Sequence, residues 1–226
     1  ISLKTLMNKY DYIIIGAGSA GCVLANRLSK NPAQNILLLE AGKSDKKREI
    51  SIPGGYGNIH RSSIDWGFYT VPQKHVNNRS IYLPRGKTLG GSSSTNAMVY
   101  VRGNKADYDE WSKLGNKGWS FHEVLHYFKK SENNEDFNDD YHGRKGPLSV
   151  TFTKDFQTPY AKAFLHACQE SGIPKKKDYN GKDQLGASLF QFTIREGKRQ
   201  STAVAFLKPV MHRPNLTVIT EARVSK

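Results

Sequence analysis

A glycine pattern near the start of the chain, Gly16-x-Gly18-x-x-Gly21, constrains the fold more than any other feature of the sequence. It follows the apolar run "YDYIIIG", which is typical of a buried parallel strand, and it opens a stretch whose apolar residues have helical spacing. A second apolar run, "NILLLEAG", comes next. Strand, glycine turn, helix and strand within about thirty residues predict a βαβ unit.

This glycine pattern in its strand–helix setting predicts a dinucleotide site. Gly16 allows the tight turn, Gly18 lets the backbone approach a pyrophosphate, and Gly21 permits close packing of helix on strand. The helix N-terminus adds oriented N–H groups that favour an anion. Glu40 ends the second strand 40 − 21 = 19 residues after the last glycine. An acidic residue about twenty residues on is expected to accept hydrogen bonds from ribose hydroxyls.

A second glycine–serine cluster bears on the choice between NAD and FAD, which the first pattern alone does not decide. A plain NAD domain should continue with a third strand and helix soon after Glu40. This chain instead enters a long irregular stretch, residues 43–85, and then "PRGKTLGGSSSTNAMVYVRG". Irregular stretches of that length are usually functional. Two glycine loops that bring backbone N–H groups to one ligand favour the larger cofactor, FAD.

The segment "GKTLGGSSSTNAMVYVRGNKADYD", residues 86–109, resembles the first signature of the glucose–methanol–choline (GMC) oxidoreductases. Further stretches agree in the family's order: "LLLEAG", "DWGFYTVPQ", "GWSFHEVLHYFKKSE", "YHGRKGPLSV" and "GKRQSTAVAFLKPVMHRPNLTVITEARV". The resemblance extends over Tyr10–Lys226 and looks closest to bacterial choline and alcohol dehydrogenases. It implies an α/β fold, with a Rossmann-like FAD-binding domain and part of a β-sheet-containing substrate domain.

The resemblance also implies which residues would hold FAD, and they come from both glycine segments and from the end of the chain. At Thr95 some family members carry a histidine bonded covalently to the flavin, so the resemblance implies non-covalent FAD here. The implied cofactor-binding residues are Gly16, Gly18, Ser19, Ala20, Gly21, Glu40, Gly91, Ser92, Asn96, Ala97, Val99 and Val224.

The family's domain plan assigns residues 7–142 to the FAD-binding domain, with 43–85 covering the cofactor. It assigns 143–200 to a partial substrate-binding domain, and 201–226 to a return into the FAD-binding domain. The family's second signature and its C-terminal catalytic histidine have no counterpart in this sequence. We therefore expect the chain to be the N-terminal part of an enzyme, and we assign no catalytic residue.

The resemblance implies oxidation of choline or another primary alcohol by hydride transfer to flavin, with an electron acceptor that the sequence does not identify. The alternative is a non-catalytic fragment that binds FAD or another nucleotide. Whether the enzyme is an oxidase or a dehydrogenase stays open at this stage.

The charge and composition of the chain bear on whether it binds nucleic acid or a membrane surface. The formal net charge is +14, from 34 basic and 20 acidic residues, which invites a nucleic-acid hypothesis. The lysines are scattered among acids at loops and helix ends, without interleaved aromatic residues that would stack on bases, so we predict no nucleic-acid partner. Peripheral contact with anionic lipid stays open. Two cysteines and no signal-peptide pattern favour a cytoplasmic protein, with attachment at the inner membrane as the alternative.

The sequence "HEVLH", residues 122–126, matches a zinc-protease pattern, but we predict no metal site. Ser120 and Glu123 form an S-x-x-E capping box, which already explains the glutamate as a helix-start residue. His142, in the loop "YHGRKG", is interpreted as structural in preference to a place near the substrate.

Overall fold

The structure, a computed structural model, describes residues 9–153 and 157–225, so the predicted domain start at Met7 and the last residue Lys226 lie outside it. The α-helices are α1 (Ser19–Leu28), α2 (Arg48–Ser51), α3 (Lys105–Lys113), α4 (Phe121–Ser131) and α5 (Pro159–Glu170). The strands are β1 (Tyr12–Ile15), β2 (Ile36–Leu39), β3 (Phe68–Tyr69), β4 (Tyr82–Leu83), β5 (Val99–Tyr100), β6 (Glu132–Asn134), β7 (Leu148–Val150), β8 (Gln191–Phe192), β9 (Ile194–Arg195), β10 (Lys198–Arg199) and β11 (Leu216–Ile219). Short 3₁₀ turns lie at Pro53–Asn58, Lys74–Val76, Gly91–Ser94 and Lys208–Val210, and a π-helical turn at Ala203–Leu207.

Strand β2 is the middle strand of a parallel three-stranded sheet. Ile36 of β2 faces Tyr12 of β1 on one side and Leu216 of β11 on the other. Ile36 and Leu38 are completely buried, as expected for the central strand of a parallel sheet. The predicted βαβ unit is confirmed. Sequence patterns do not indicate that β11, near the end of the chain, lies beside β2.

Helix α1 connects β1 to β2 and buries one face of small residues. Cys22 and Ala25 are completely buried, and Asn26 Nδ2 donates to the Phe206 carbonyl oxygen at 2.7 Å, which ties the helix to the π-helical turn. The Cys22 thiol donates to the Ala17 carbonyl oxygen at 3.2 Å. Burial raises the pKa of this thiol to about 11, so Cys22 acts as a small packing residue.

The chain divides into two compact units: residues up to Ala97 together with those from Glu196 onwards, and Met98–Arg195. These units divide the chain elsewhere than the predicted functional domains 7–142, 143–200 and 201–226, which stay a prediction. Within the described residues no helix has the length and apolar character needed to cross a membrane.

The second unit is held by short strand pairs and three helices. Strand β5 pairs antiparallel with β8, and β6 pairs parallel with β7. Helix α4 begins at the predicted capping box, where the Ser120 N–H donates to Glu123 Oε2 at 3.1 Å. Helix α5 begins with Pro159 after Thr158, whose hydroxyl oxygen accepts from the Ala161 N–H at 3.1 Å.

A buried ion network joins the elements of the second unit. Glu132, which is completely buried, accepts from Arg102 Nη2 at 2.9 Å and lies 3.1 Å from His142 Nδ1. His142 Nε2 lies 2.9 Å from an Asp178 carboxylate oxygen. Burial alone would lower the pKa of His142, but the hydrogen bonds and attraction to Asp178 and Glu132 outweigh it and raise the pKa to about 9. These contacts support the interpretation of His142 as a structural residue.

Candidate dinucleotide-binding site

A cleft of about 980 Å³ lies at the carboxyl ends of the three parallel strands in the first unit. Its floor is formed by residues that follow the three strands: Gly16 after β1, Glu40 after β2 and Val224 after β11. The carboxyl edge of a parallel sheet is where open α/β folds bind their ligands. The position of this cleft therefore marks it as the candidate site.

The three fingerprint glycines have different surroundings in the structure. Gly16 has φ +97°, a left-handed conformation that favours glycine. A Cβ on Gly21 would lie 1.9 Å from the Gly16 carbonyl oxygen, so helix α1 approaches the turn closely only because Gly21 lacks a side chain. A Cβ on Gly18 would meet no atom within 4 Å and would occupy space in the cleft. Gly18 therefore leaves the cleft free for a ligand.

The N-terminus of helix α1 faces the same cleft. Gly18 is its N-cap and has no side chain to cap the first turn, and the first turn carries no acidic residue. Ser19, the first residue of the helix, lines the cleft. Uncapped N–H groups at the start of a ten-residue helix suit an anionic group such as a pyrophosphate.

Glu40 is a buried carboxylate at the floor of the cleft, with 5% of its surface exposed. Its Oε2 accepts from the Ala17 N–H at 2.8 Å, and its Oε1 accepts from the Gly42 N–H at 2.8 Å. The carboxylate thus fixes the turn after β1 to the turn after β2. Each oxygen retains a further lone pair, which is what the predicted bond from a ribose hydroxyl needs.

We expect Glu40→Gln to reduce both the stability of the first unit and its affinity for a dinucleotide. The glutamine NH₂ group would face one of the two backbone N–H donors, leaving a buried donor unsatisfied at about 1–3 kcal/mol. Urea denaturation of the ligand-free chain measures the first effect. Glu49→Gln, on the exposed face of α2, is the control and should unfold like the wild type; equal stability of both variants would contradict the prediction.

The second glycine segment is docked directly onto the first. The Gly90 N–H donates to the Ala17 carbonyl oxygen at 2.7 Å, and the Leu89 N–H donates to the Lys43 carbonyl oxygen at 3.2 Å. A Cβ on Gly91 would lie 2.8 Å from Gly18 Cα. The two glycine loops therefore form one wall, as a ligand lying along both of them requires.

Aromatic and cationic side chains form the outer wall of the cleft. Trp66 and Phe68 stack with their ring centroids 5.6 Å apart, and Arg223 and Lys87 lie over the Trp66 ring at 5.6 and 4.9 Å. Trp66, Phe68, Arg85 and Arg223 line the cleft. The sequence places Trp66, Phe68 and Arg85 only in the predicted covering segment, 43–85, and does not single out Arg223.

The structure brings most of the predicted cofactor residues to the cleft. Ala20 and Gly21 belong to α1 and do not line the cleft; Ala20 is exposed and Gly21 is buried. Asn96 and Ala97 follow the second glycine turn as exposed residues. Val99 belongs to the second unit, where it begins β5. The residues among them that line the cleft are Gly16, Gly18, Ser19, Glu40, Gly91, Ser92 and Val224.

The sheet, the glycine turn and the cleft define a Rossmann-like dinucleotide-binding protein. The sequence profile of the GMC oxidoreductase family matches residues 10–226. The chain belongs to this family, and the resemblance seen in the sequence is confirmed.

Two relatives within the family are similar to this chain over nearly its whole length. An alcohol dehydrogenase [acceptor] from Pseudomonas putida is 48% identical over 96% of this chain and 40% of its own length. An oxygen-dependent choline dehydrogenase from Photobacterium profundum is 46% identical over 92% of this chain and 37% of its own length. The chain thus spans about two fifths of the length of these relatives.

A solved structure supports the fold. The crystal structure of pyridoxine 4-oxidase from Mesorbium loti matches 96% of this chain and 43% of its own chain, with a TM-score of 0.92 at 35% identity. The α/β fold with a GMC-type FAD-binding domain is confirmed. Membership of this flavoenzyme family implies FAD, and the uncapped α1 N-terminus and the open space at Gly18 fit its pyrophosphate.

Proposed function

We propose that this chain binds FAD without a covalent bond and forms the cofactor-binding part of an enzyme that oxidises choline or another primary alcohol. The observation that carries the proposal is the junction of the two glycine segments, Gly18 against Gly91, at the carboxyl edge of the sheet. When bound, FAD supplies the acceptor for the hydride removed from the alcohol.

The chain's own residues bind and orient the cofactor in this proposal. The turn at Gly16–Gly18 and the start of α1 hold the pyrophosphate, and Glu40 accepts from the ribose of the ADP half. Val224 meets the adenine through its backbone. Ser92, Asn96, Ala97 and Val99 would line the pyrophosphate and the flavin side of the cofactor.

Thr95 supports the non-covalent part of the proposal. It is buried, with 4% of its surface exposed, and a threonine hydroxyl offers no imidazole nitrogen for a bond to the flavin. The cytoplasmic location, with peripheral membrane contact as the alternative, stays a prediction from the sequence, which identifies neither the electron acceptor nor the particular alcohol. We assign no catalytic residue within this chain.

Reconstitution of the purified 226-residue chain with FAD tests the proposal. We expect flavin absorbance to remain with the protein after gel filtration, and the flavin to be released into the supernatant when the protein is precipitated with acid. Failure to retain FAD would overturn cofactor binding by this chain. Flavin that stays with the acid precipitate would overturn the non-covalent part.

Anaerobic addition of choline or benzyl alcohol tests the reaction. Bleaching of the flavin would support alcohol oxidation by this chain alone. Retained FAD without bleaching, here and in the chain extended to the full length of its relatives, would favour the alternative of a non-catalytic nucleotide-binding protein.

A further inference from the structure

Arg199 is a buried arginine in the first unit that the proposed function does not yet use. Only 2% of its surface is exposed. Its Nε donates to the Ile50 carbonyl oxygen at 2.7 Å, and its Nη1 donates to the Ser93 carbonyl oxygen at 3.2 Å. The same Nη1 donates to the carbonyl oxygen and Oδ1 of Asn96 at 2.7 and 2.9 Å. Its acceptors are therefore all neutral.

Among the residues that the structure describes, none supplies a counter-charge to Arg199. In the described part of the chain no carboxylate forms an ion pair with its guanidinium, and its Nη2 is buried without a hydrogen-bond partner. Burial lowers the pKa of Arg199 to about 10. By contrast, the buried Arg102 of the second unit is paired with Glu132. A buried cation without a counter-charge is strongly unfavourable, which suggests that the balancing negative charge comes from a ligand.

The contacts of Arg199 lead directly to the cleft. Ser93 belongs to the turn Gly91–Ser94, whose first two residues line the cleft, and Asn96 follows it. Thr202, three residues after Arg199, reinforces the attachment: its N–H donates to Ser93 Oγ at 3.0 Å, and the two hydroxyl oxygens are 2.8 Å apart. Arg199 and Thr202 therefore hydrogen-bond to Ser93, in the turn whose first two residues line the cleft.

We propose that Arg199 is a positioning residue for the dinucleotide: it holds the turn Gly91–Ser94 in its binding shape, and the negative charge of the bound dinucleotide balances its charge. The inference rests on the proposed FAD binding and adds a residue that does not line the cleft. Attraction between charges is strong where water is excluded, so each partner stabilises the other. Loss of Arg199 should therefore weaken FAD binding more than it weakens the ligand-free fold.

Titration of the 226-residue chain with FAD, followed by quenching of flavin fluorescence, tests the proposal. We expect Arg199→Gln to raise the Kd for FAD at least tenfold and Arg199→Lys, which keeps the charge, to raise it less. Arg102→Gln is the matched control: it should lower the thermal midpoint of the ligand-free chain and leave the Kd unchanged. Wild-type affinity in Arg199→Gln would overturn the inference while the proposed function stands. A wild-type chain that does not bind FAD would overturn both.

A second variant keeps the proposal testable if Arg199→Gln fails to fold. Asn96→Asp places a carboxylate at the position of the amide oxygen, 2.9 Å from Arg199 Nη1. If the charge of Arg199 is unbalanced, the new carboxylate should balance it and raise the thermal midpoint of the ligand-free chain. Because the negative charge of FAD is then no longer needed at this place, the Kd for FAD should also rise. An unchanged or lower midpoint in the ligand-free chain would contradict the proposal.

Discussion

Gly18→Ala should weaken FAD binding at least tenfold while the ligand-free chain unfolds at the wild-type temperature. Apart from the two neighbouring residues in the chain, the added methyl group would meet no protein atom within 4 Å, and φ −74° is accessible to alanine, so the fold tolerates it. The methyl group would instead occupy the side of the cleft at the start of α1. Forcing a methyl group into a close contact costs about 1–3 kcal/mol, and about 1.4 kcal/mol is a factor of ten in affinity.

Gly21→Ala is the matched control, because the same methyl group is added three residues later. There the Cβ would lie 1.9 Å from the Gly16 carbonyl oxygen, so helix α1 must move away from the turn. We expect Gly21→Ala to reduce the free energy of unfolding by about 3 kcal/mol or more. FAD fluorescence quenching and thermal unfolding separate the two effects. If Gly18→Ala bound FAD like the wild type, the cleft would not be the pyrophosphate site.

Glu132→Gln should reduce the free energy of unfolding of the second unit by about 3 kcal/mol. Glu132 is the completely buried anion between Arg102 and His142, and it also accepts from the Gly143 N–H at 2.8 Å. Removing one charge of a buried pair leaves the other uncompensated, which typically costs about 3–5 kcal/mol. Urea unfolding followed by tryptophan fluorescence measures the change, and wild-type stability would show that the network contributes nothing.

The same network predicts how stability depends on pH. The pKa of His142 is raised to about 9 in the folded chain, from an unfolded value of 6.5. The contribution of His142 to the free energy of unfolding is therefore fully present below about pH 6.5 and is lost as the pH rises through about 9. His142→Gln should remove this dependence. His166→Gln is the control, because His166 pairs with Glu170 on the exposed face of α5, and such pairs contribute about 0.5 kcal/mol or less.

The beginning of the chain shows how much of the fold the sequence predicts. Between Tyr10 and Gly42 each element is specified locally, by an apolar run, a glycine turn or helical spacing, and the structure confirms β1, α1 and β2. The capping box at Ser120 is local in the same way. Patterns of this kind are readable because the residues that cause them are adjacent in the sequence.

The parts that the sequence does not predict depend on distant residues. The place of β11 beside β2 is set by a register that joins Leu216 to Ile36. The hydrogen bonds from Gly90 to Ala17 and from Arg199 to Ser93 likewise join segments that are far apart in sequence. Apolar periodicity does not encode which distant partner a segment meets, so these contacts appear only in three dimensions.

Glu40 shows a further limit of sequence patterns. The spacing after Gly21 predicts an acceptor for ribose hydroxyls and gives no sign of a second role. In the structure both carboxylate oxygens already accept backbone N–H groups, from Ala17 and Gly42. The same side chain thus fixes the two turns that shape the cleft, and its predicted role towards the ribose is added to this structural one.

The position of β2 between β1 and β11 has a consequence for the order in which the protein folds on the ribosome. β1 and β2 emerge early, but their third strand is translated only after the whole of Met98–Arg195. Until then one edge of β2 exposes unpaired backbone groups and apolar side chains, which invite association with other chains. The second unit, continuous in sequence, can complete its own contacts first. The pairing of β11 with β2 is therefore the last contact of this sheet that translation makes available.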